Sequence, residues 1–122
     1  MIFNAQGQLL LCEHTYRRIY PWGLPGGDLH PGEDPVDGIK REIFEETGLT
    51  VQSTRLLLVE NSNEIHHIAL TYLCTGVSGE FVANEEVSSI RYFDTDTLPG
   101  FFDEHRMTIE KCLALLAKEK GD

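Results

Sequence analysis

A chain of 122 residues, 41% hydrophobic and 25% charged, can bury one substantial core but not two, so a single domain over residues 1–122 is expected. Its net charge of −10 excludes non-specific binding to nucleic acid or to an anionic membrane, both of which need basic surface. An anionic ligand would need a neutralising group in its site, and a divalent cation is the obvious one.

Cys12, Cys74 and Cys112 are odd in number, far apart and at no metal-ligand spacing, which predicts reduced, buried thiols. No basic stretch followed by an apolar segment opens the chain. No apolar run approaches the roughly 20 residues of a membrane span, so a cytoplasmic protein is expected.

In chain order, Met1 to Asn4 reads as a very short strand, and Ala5-Gln6-Gly7 turns the chain into a buried strand from Gln8 to His14. Four residues make a poor sheet member, so this first strand is expected to be truncated by several residues. Its open sheet edge would let two copies pair, and a homodimer is the corresponding expectation. Thr15 to Gly23 is a loop carrying the one local basic and aromatic cluster, Tyr16, Arg17, Arg18, Tyr20 and Trp22. Arg17 and Arg18 are candidates to meet a phosphate or stack on a base, and Trp22 is a candidate core anchor.

Leu24-Pro25-Gly26-Gly27 interrupts regular structure. Asp34 then offers an N-cap, Pro35 suits the first helical position, and Gly48 is placed to end the helix. At about 100° per residue, Val36, Ile39 and Ile43 fall on one side with Phe44 at its margin, and Glu42, Glu45 and Glu46 fall on the other. The three glutamates, at i, i+3 and i+4, would repel one another, which is easiest to explain if cations sit among them. Gly38 lies on the acidic side, where a glycine costs about 1 kcal/mol relative to alanine, tolerable if something approaches closely there.

Strands are expected from Thr50 to Glu60, Ile65 to Thr75 and Val87 to Asp94, punctuated by Gly76-Val77-Ser78-Gly79 and Asn84. A last helix from Asp103 to Lys120 sets Ile109, Cys112, Leu113 and Leu116 on one face. A β-rich chain with one helix near its middle and one at its end predicts an α/β fold, a mixed sheet sandwiched between helices.

Gly27, five residues, Glu33, seven residues, Arg41-Glu42-Ile43, one residue, Glu45-Glu46, one residue, Gly48-Leu49 resembles the full signature of the Nudix hydrolases, MutT-like proteins among them. The preceding Leu-Pro-Gly-Gly and the order of elements on both sides are similar too. The resemblance implies the Nudix fold and metal-dependent hydrolysis of a nucleoside diphosphate linked to another group, by water attack at phosphorus. It implies Glu42, Glu45, Glu46 and the Gly26 carbonyl as metal ligands, and Arg41, partnered by Glu33, as their organiser. Carboxylate and carbonyl oxygens suit Mg²⁺ or Mn²⁺. Outside the signature, Glu85 and Glu86 precede a strand where relatives supply a further ligand or general base, and Glu86 is the expected one.

Substrate choice in that family lies outside the signature. The proline or tyrosine of the ADP-ribose and diadenosine-polyphosphate branches is missing; Glu64, Ile65, His66 and His67 stand in that region. Motifs of the coenzyme A and NADH branches are missing as well, which leaves a (deoxy)nucleoside triphosphate pyrophosphohydrolase of the nucleotide-sanitising type as the leading expectation. A hydrolase of nucleotide sugars or other nucleoside diphosphate derivatives is the alternative. Base contacts are expected from His66 or His67, or from Phe101, Phe102 and Asp103, with the aromatic pair also able to cap the core. A non-catalytic nucleotide sensor is a rival that the complete glutamate set argues against. An isopentenyl diphosphate isomerase is another, disfavoured because no cysteine lies near the signature.

Overall fold

The computed structural model describes residues 1–61 and 67–121. Glu64, Ile65 and His66 lie outside the described residues. Five strands and two helices follow in the order β1 (Leu9–His14), β2 (Trp22–Gly23), α1 (Pro35–Thr47), β3 (Thr50–Asn61), β4 (Ile68–Ser78), β5 (Val87–Phe93) and α2 (Asp103–Gly121).

Leu9, Leu10, Leu11 and Cys12 are all fully buried, as a strand covered on both faces requires. β1 pairs antiparallel with β5 along its whole length and with β2 at Cys12–Glu13, and β3 pairs antiparallel with β4. Residues 1–4 join these two ladders. The Met1 amine donates to Tyr72 O and the Cys74 amide donates to Met1 O, the pattern of a parallel pair. On the other side Leu10 N donates to Ile2 O and Asn4 N to Gln8 O, an antiparallel bridge at Phe3 and Leu9. The sheet is thereby mixed. This opening segment is an interior member and not an open edge, because β4 and β1 occupy both of its sides. The outer positions among the described residues belong to β3 and β5, with the two-residue β2 paired on one side only, to β1.

Alternation along the chain distributes the core. Met1, Leu9 and Leu11 pack with Phe101, Ile109 and Cys112 under α2, whereas Ile2 and Leu10 pack with Ile43, Leu49 and Val51 under α1. The two helices therefore cover opposite faces. Burying a Leu or Ile side chain is worth about 1.5–3 kcal/mol, so β1 anchors both layers. Trp22 sits edge-on to Phe93 at 5.1 Å in the α2-side core, the anchor expected of it. The three cysteines are buried and free, and burial pushes the Cys12 thiol up to about 12.

Asp34 Oδ1 accepts the Val36 amide at 2.9 Å, and Gly48, at φ 78°, donates to Phe44 O at 2.8 Å, so both expected helix ends are present. Apart from one-residue shifts at the ends of β1, β3, β5 and α2 and the two-residue β2 in a stretch expected as loop, two features differ from expectation. β4 does not stop at Gly76: it runs through to Ser78, because Gly76 takes φ 66° and lies against Gln52, whose Cβ would be 2.6 Å from an added methyl. β3 carries an extra residue between Leu56 and Leu58, a bulge that lets consecutive Leu57 and Leu58 both join the α2-side core. Among the described residues no helix is long and apolar enough to cross a membrane.

Candidate active site

Glu46 is 2% exposed. Expected on the side of α1 opposite the core with Glu42 and Glu45, it stands instead at the margin between the two sides. Seven residues span about 700°, so Glu46 stands only about 20° from Ile39, at the core margin of α1. Its Oε1 accepts the Gly26 amide at 2.7 Å, and its Oε2 lies 3.7 Å from His14 Nδ1. Gly26 takes φ 148°, a backbone state closed to most other residues, and so turns its amide onto the helix.

Glu42 lies one turn earlier under Gly27. A methyl at Gly27 would be 2.7 Å from Glu42 Cδ. Arg41 holds the rest of the acidic set: Nε and Nη2 grip both oxygens of Glu33 at 2.7 and 2.9 Å, Nη1 donates to Glu42 at 2.9 Å and Glu45 at 3.1 Å, and Nη2 reaches Asp28 O. The paired guanidinium holds the Glu33 carboxyl down at about 2. Gly38 is buried where Leu29 and Glu33 cross α1, the close approach that excuses a mid-helix glycine.

Burial pushes the Glu46 carboxyl up to about 7, and the neighbouring charges of Glu42 and Glu86 add to the rise. Burial, helped by Arg17, lowers the His14 imidazole. His14 Nε2 faces Leu24 O at 3.3 Å and must donate to it, which leaves Nδ1 as a bare lone pair turned toward Glu46. His14 Nδ1 and Arg17 Nη1 are the two buried side-chain polar atoms without a hydrogen-bond partner among the described residues. Both belong to the surroundings of Glu46, which is where a ligand would be expected to satisfy them.

The glutamates do not converge as they stand: among the described residues no three His, Cys, Asp or Glu groups are gathered as metal ligands. Glu42 and Glu45 are turned to Arg41, and Glu46 is turned to Gly26. The donor set nonetheless fits a hard divalent cation. Glu42 and Glu46 offer oxygens beside the Gly26–Gly27 backbone, and the orphaned atoms around Glu46 mark unsatisfied polarity.

A cleft of about 710 Å³ runs from this point, lined by Gly26, Gly27, Arg17, His67, Phe101 and His105 among others. Of the two adjacent arginines, Arg17 is half-buried in the cleft wall and Arg18 is exposed. Phe102 and Asp103 are not among the lining residues. Phe102 is 45% exposed and stacks edge-on to Tyr20 at 5.3 Å, while the first turns of α2 present Glu104, His105 and Thr108 to the cleft. Phe101 both caps the core and lines the cleft. Glu86 is exposed on the loop before β5, with its carbonyl accepting Thr15 N at 2.9 Å. His14 was not singled out by sequence. The available signal was the even spacing Leu10, Cys12, His14, which carries a polar ring onto the α1 face at the end of a buried run.

The family described as the NUDIX domain matches residues 1–116. The chain is 31% identical to a protein named ADP-ribose pyrophosphatase from Methanocaldococcus jannaschii, over 73% of this chain and 55% of that one. It is 38% identical to an RNA pyrophosphohydrolase from Bartonella bacilliformis, over 40% of this chain and 33% of that one. The chain thus spans about half or less of the length of these curated relatives. Among solved structures, the MutT NUDIX hydrolase from Burkholderia pseudomallei superposes with a TM-score of 0.76 at 27% identity, covering 89% of this chain and 91% of that one.

Proposed function

The chain belongs to the NUDIX domain family, and we propose that it is a divalent-metal-dependent hydrolase of a phosphoric anhydride bond in a small nucleotide, a (deoxy)nucleoside triphosphate pyrophosphohydrolase foremost. The observation that carries this reading is the placement of Glu42 and Glu46 against Gly27 and Gly26 at the wall of the cleft that Arg17 lines.

In this reading Glu42, Glu46 and the Gly26 carbonyl hold Mg²⁺ or Mn²⁺, with Glu45 and Glu86 completing the set from the rim. A cation bound there supplies Lewis acidity to phosphoryl oxygens and makes water a better nucleophile. Arg17 neutralises and orients the phosphate chain through charge-assisted hydrogen bonds. Glu86 accepts the proton of the water as its oxygen bonds to phosphorus and the anhydride P–O bond breaks. Arg41, clamped to Glu33, offsets the repulsion between Glu42 and Glu45 and holds both in place. Phe101 and His105 flank the region available to a base or sugar.

A nucleoside diphosphate derivative is the second reading, favoured by the similarity to a protein named ADP-ribose pyrophosphatase. A panel of nucleoside and deoxynucleoside triphosphates, oxidised nucleotides, nucleotide sugars and dinucleotides, assayed with Mg²⁺ or Mn²⁺ and product identification, separates the two. Release of pyrophosphate and a monophosphate from a triphosphate supports the first reading. Two monophosphate products from a linked diphosphate support the second. Nucleotide binding with no hydrolysis under either metal would overturn both in favour of a sensor.

A further inference from the structure

One side-chain amide fastens the loop before β5 to the helix that carries the glutamates. Asn84 Nδ2 donates to Glu46 O at 2.8 Å and to Val82 O at 3.3 Å, while its Oδ1 accepts the amides of Glu86 at 2.9 Å and Val87 at 3.0 Å. Both atoms facing Nδ2 are carbonyl oxygens and both facing Oδ1 are N–H groups, so the amide has one satisfied orientation. Its two ends act on different elements. The oxygen shapes the turn that presents Glu86, and the nitrogen reaches across to the last turn of α1, where carbonyls have no helical partner. Val82 N donates to Thr47 O at 3.0 Å beside it, and Thr15 holds the far side of the loop through Glu86 O.

We propose that Asn84 is a positioning residue that sets the Glu86 carboxylate against the Glu42–Glu46 pair, so that Glu86 joins the cation site of α1. The inference rests on the reading of these glutamates as cation ligands given above. The docking point is the backbone of Glu46 itself, so the amide, beside the Val82–Thr47 bond, ties the turn that presents Glu86 directly to the residue whose carboxylate it is to join. Asn84→Asp separates its two ends. The carboxylate still accepts from Glu86 and Val87, but it donates nothing to Glu46 O and sets a negative charge against the carbonyl end of α1.

The test is a double-mutant cycle on Mn²⁺ affinity, measured by calorimetry with Mn²⁺ alone, for the wild type, Asn84→Asp, Glu86→Gln and the pair. Asn84→Asp is expected to weaken Mn²⁺ by about tenfold, and by less than about twofold when Glu86 is already Gln. Apo thermal stability, by contrast, falls by the same amount in both backgrounds. Unchanged Mn²⁺ affinity in Asn84→Asp, or an equal loss in both backgrounds, would overturn the role. Unchanged affinity in Glu86→Gln alone would instead overturn the ligand reading on which it rests. Should Asn84→Asp not fold, Asn84→Ser replaces it in the same cycle, since a serine keeps an acceptor for the turn but is too short to bridge to Glu46 O.

Discussion

Glu46 Oε1 accepts the Gly26 amide at 2.7 Å, so a single hydrogen bond joins the glycine loop to the last turn of α1. The bond matters because it holds a nearly fully buried carboxylate beside the cleft instead of within a sealed core. Its geometry also separates folding from chemistry at this residue.

Glu46→Gln keeps an oxygen to accept from Gly26 and removes only the charge. Metal-dependent turnover is expected to fall by at least about two orders of magnitude, the scale of losing a key catalytic group. Melting temperature without metal should hold or rise, because a neutral amide suffers less from burial than a carboxylate. Steady-state kinetics beside a thermal melt checks this, and near-normal turnover with Mg²⁺ would remove Glu46 from the site.

Metal binding should release a proton. With the Glu46 carboxyl pushed up to about 7 by burial, Glu42 and Glu86, the metal-free site keeps a proton on Glu46 through mildly acidic pH. A cation stabilises the ionised form, so binding competes with that proton, and apparent affinity should fall by about tenfold per pH unit below pH 7 and level off above it. His14 does not mask this, since burial and Arg17 lower its own titration. Mn²⁺ calorimetry in two buffers of different ionisation enthalpy counts the proton at pH 6 and at pH 8. Equal proton counts at both, or a pH dependence that survives in Glu46→Gln, would contradict the assignment.

Much of the scaffold was legible because its causes are local. Asp34 and Gly48 bound α1 through side-chain and backbone groups within a few residues of themselves, and the uninterrupted Leu9–Cys12 run needs no partner to be read as a doubly covered strand. The misplacement of Glu46 arose from dividing α1 into two faces, when a residue 20° from Ile39 belongs to their boundary. His14 and Asn84 were out of reach for another reason. Each acts by meeting an element distant in sequence, His14 across to Glu46 and Asn84 from the loop before β5, and neither residue type alone distinguishes such a contact from an ordinary strand end or turn. Composition could not rank Arg17 above Arg18 either; the path of the loop past Gly23 buries one and exposes the other.

Arg41 is expected to be sensitive even to lysine. Its guanidinium serves Glu33 with two nitrogens while a third spans Glu42 and Glu45, a fork that one ammonium cannot reproduce. Arg41→Lys should cost about 10- to 100-fold in metal affinity or rate, the usual loss when a partner of the ligands is removed. Glu33→Gln tests the same clamp from the other side. Because Arg41 depresses the Glu33 carboxyl from 4.5 to about 2, its contribution to stability is present above pH 4.5 and is lost as pH falls toward 2. Acid melts of the wild type should show that loss, and Glu33→Gln should show less of it; parallel acid profiles would dismiss the clamp.

Gly27→Ala distinguishes a steric role from a conformational one. A methyl there would stand 2.7 Å from Glu42 Cδ and Oε2 and 2.9 Å from Oε1, and the carboxylate cannot retreat freely because Arg41 holds it. Gly27 is itself exposed and needs no left-handed backbone, unlike Gly26 at φ 148°. Stability should therefore fall by less than at Gly26, since what must shift is the end of the Glu42 side chain, at the expense of its bond to Arg41, and not the backbone. Turnover should fall by about 10²-fold, since a displacement near 1 Å of a group in the site suffices for that. Gly26→Ala, by contrast, should lose stability as well as rate, because its backbone is strained by any side chain. Melting curves and kcat for the two variants decide the matter: a stability loss in Gly27→Ala as large as in Gly26→Ala, or an undiminished rate, would show that Gly27 is not the roof under which Glu42 is held.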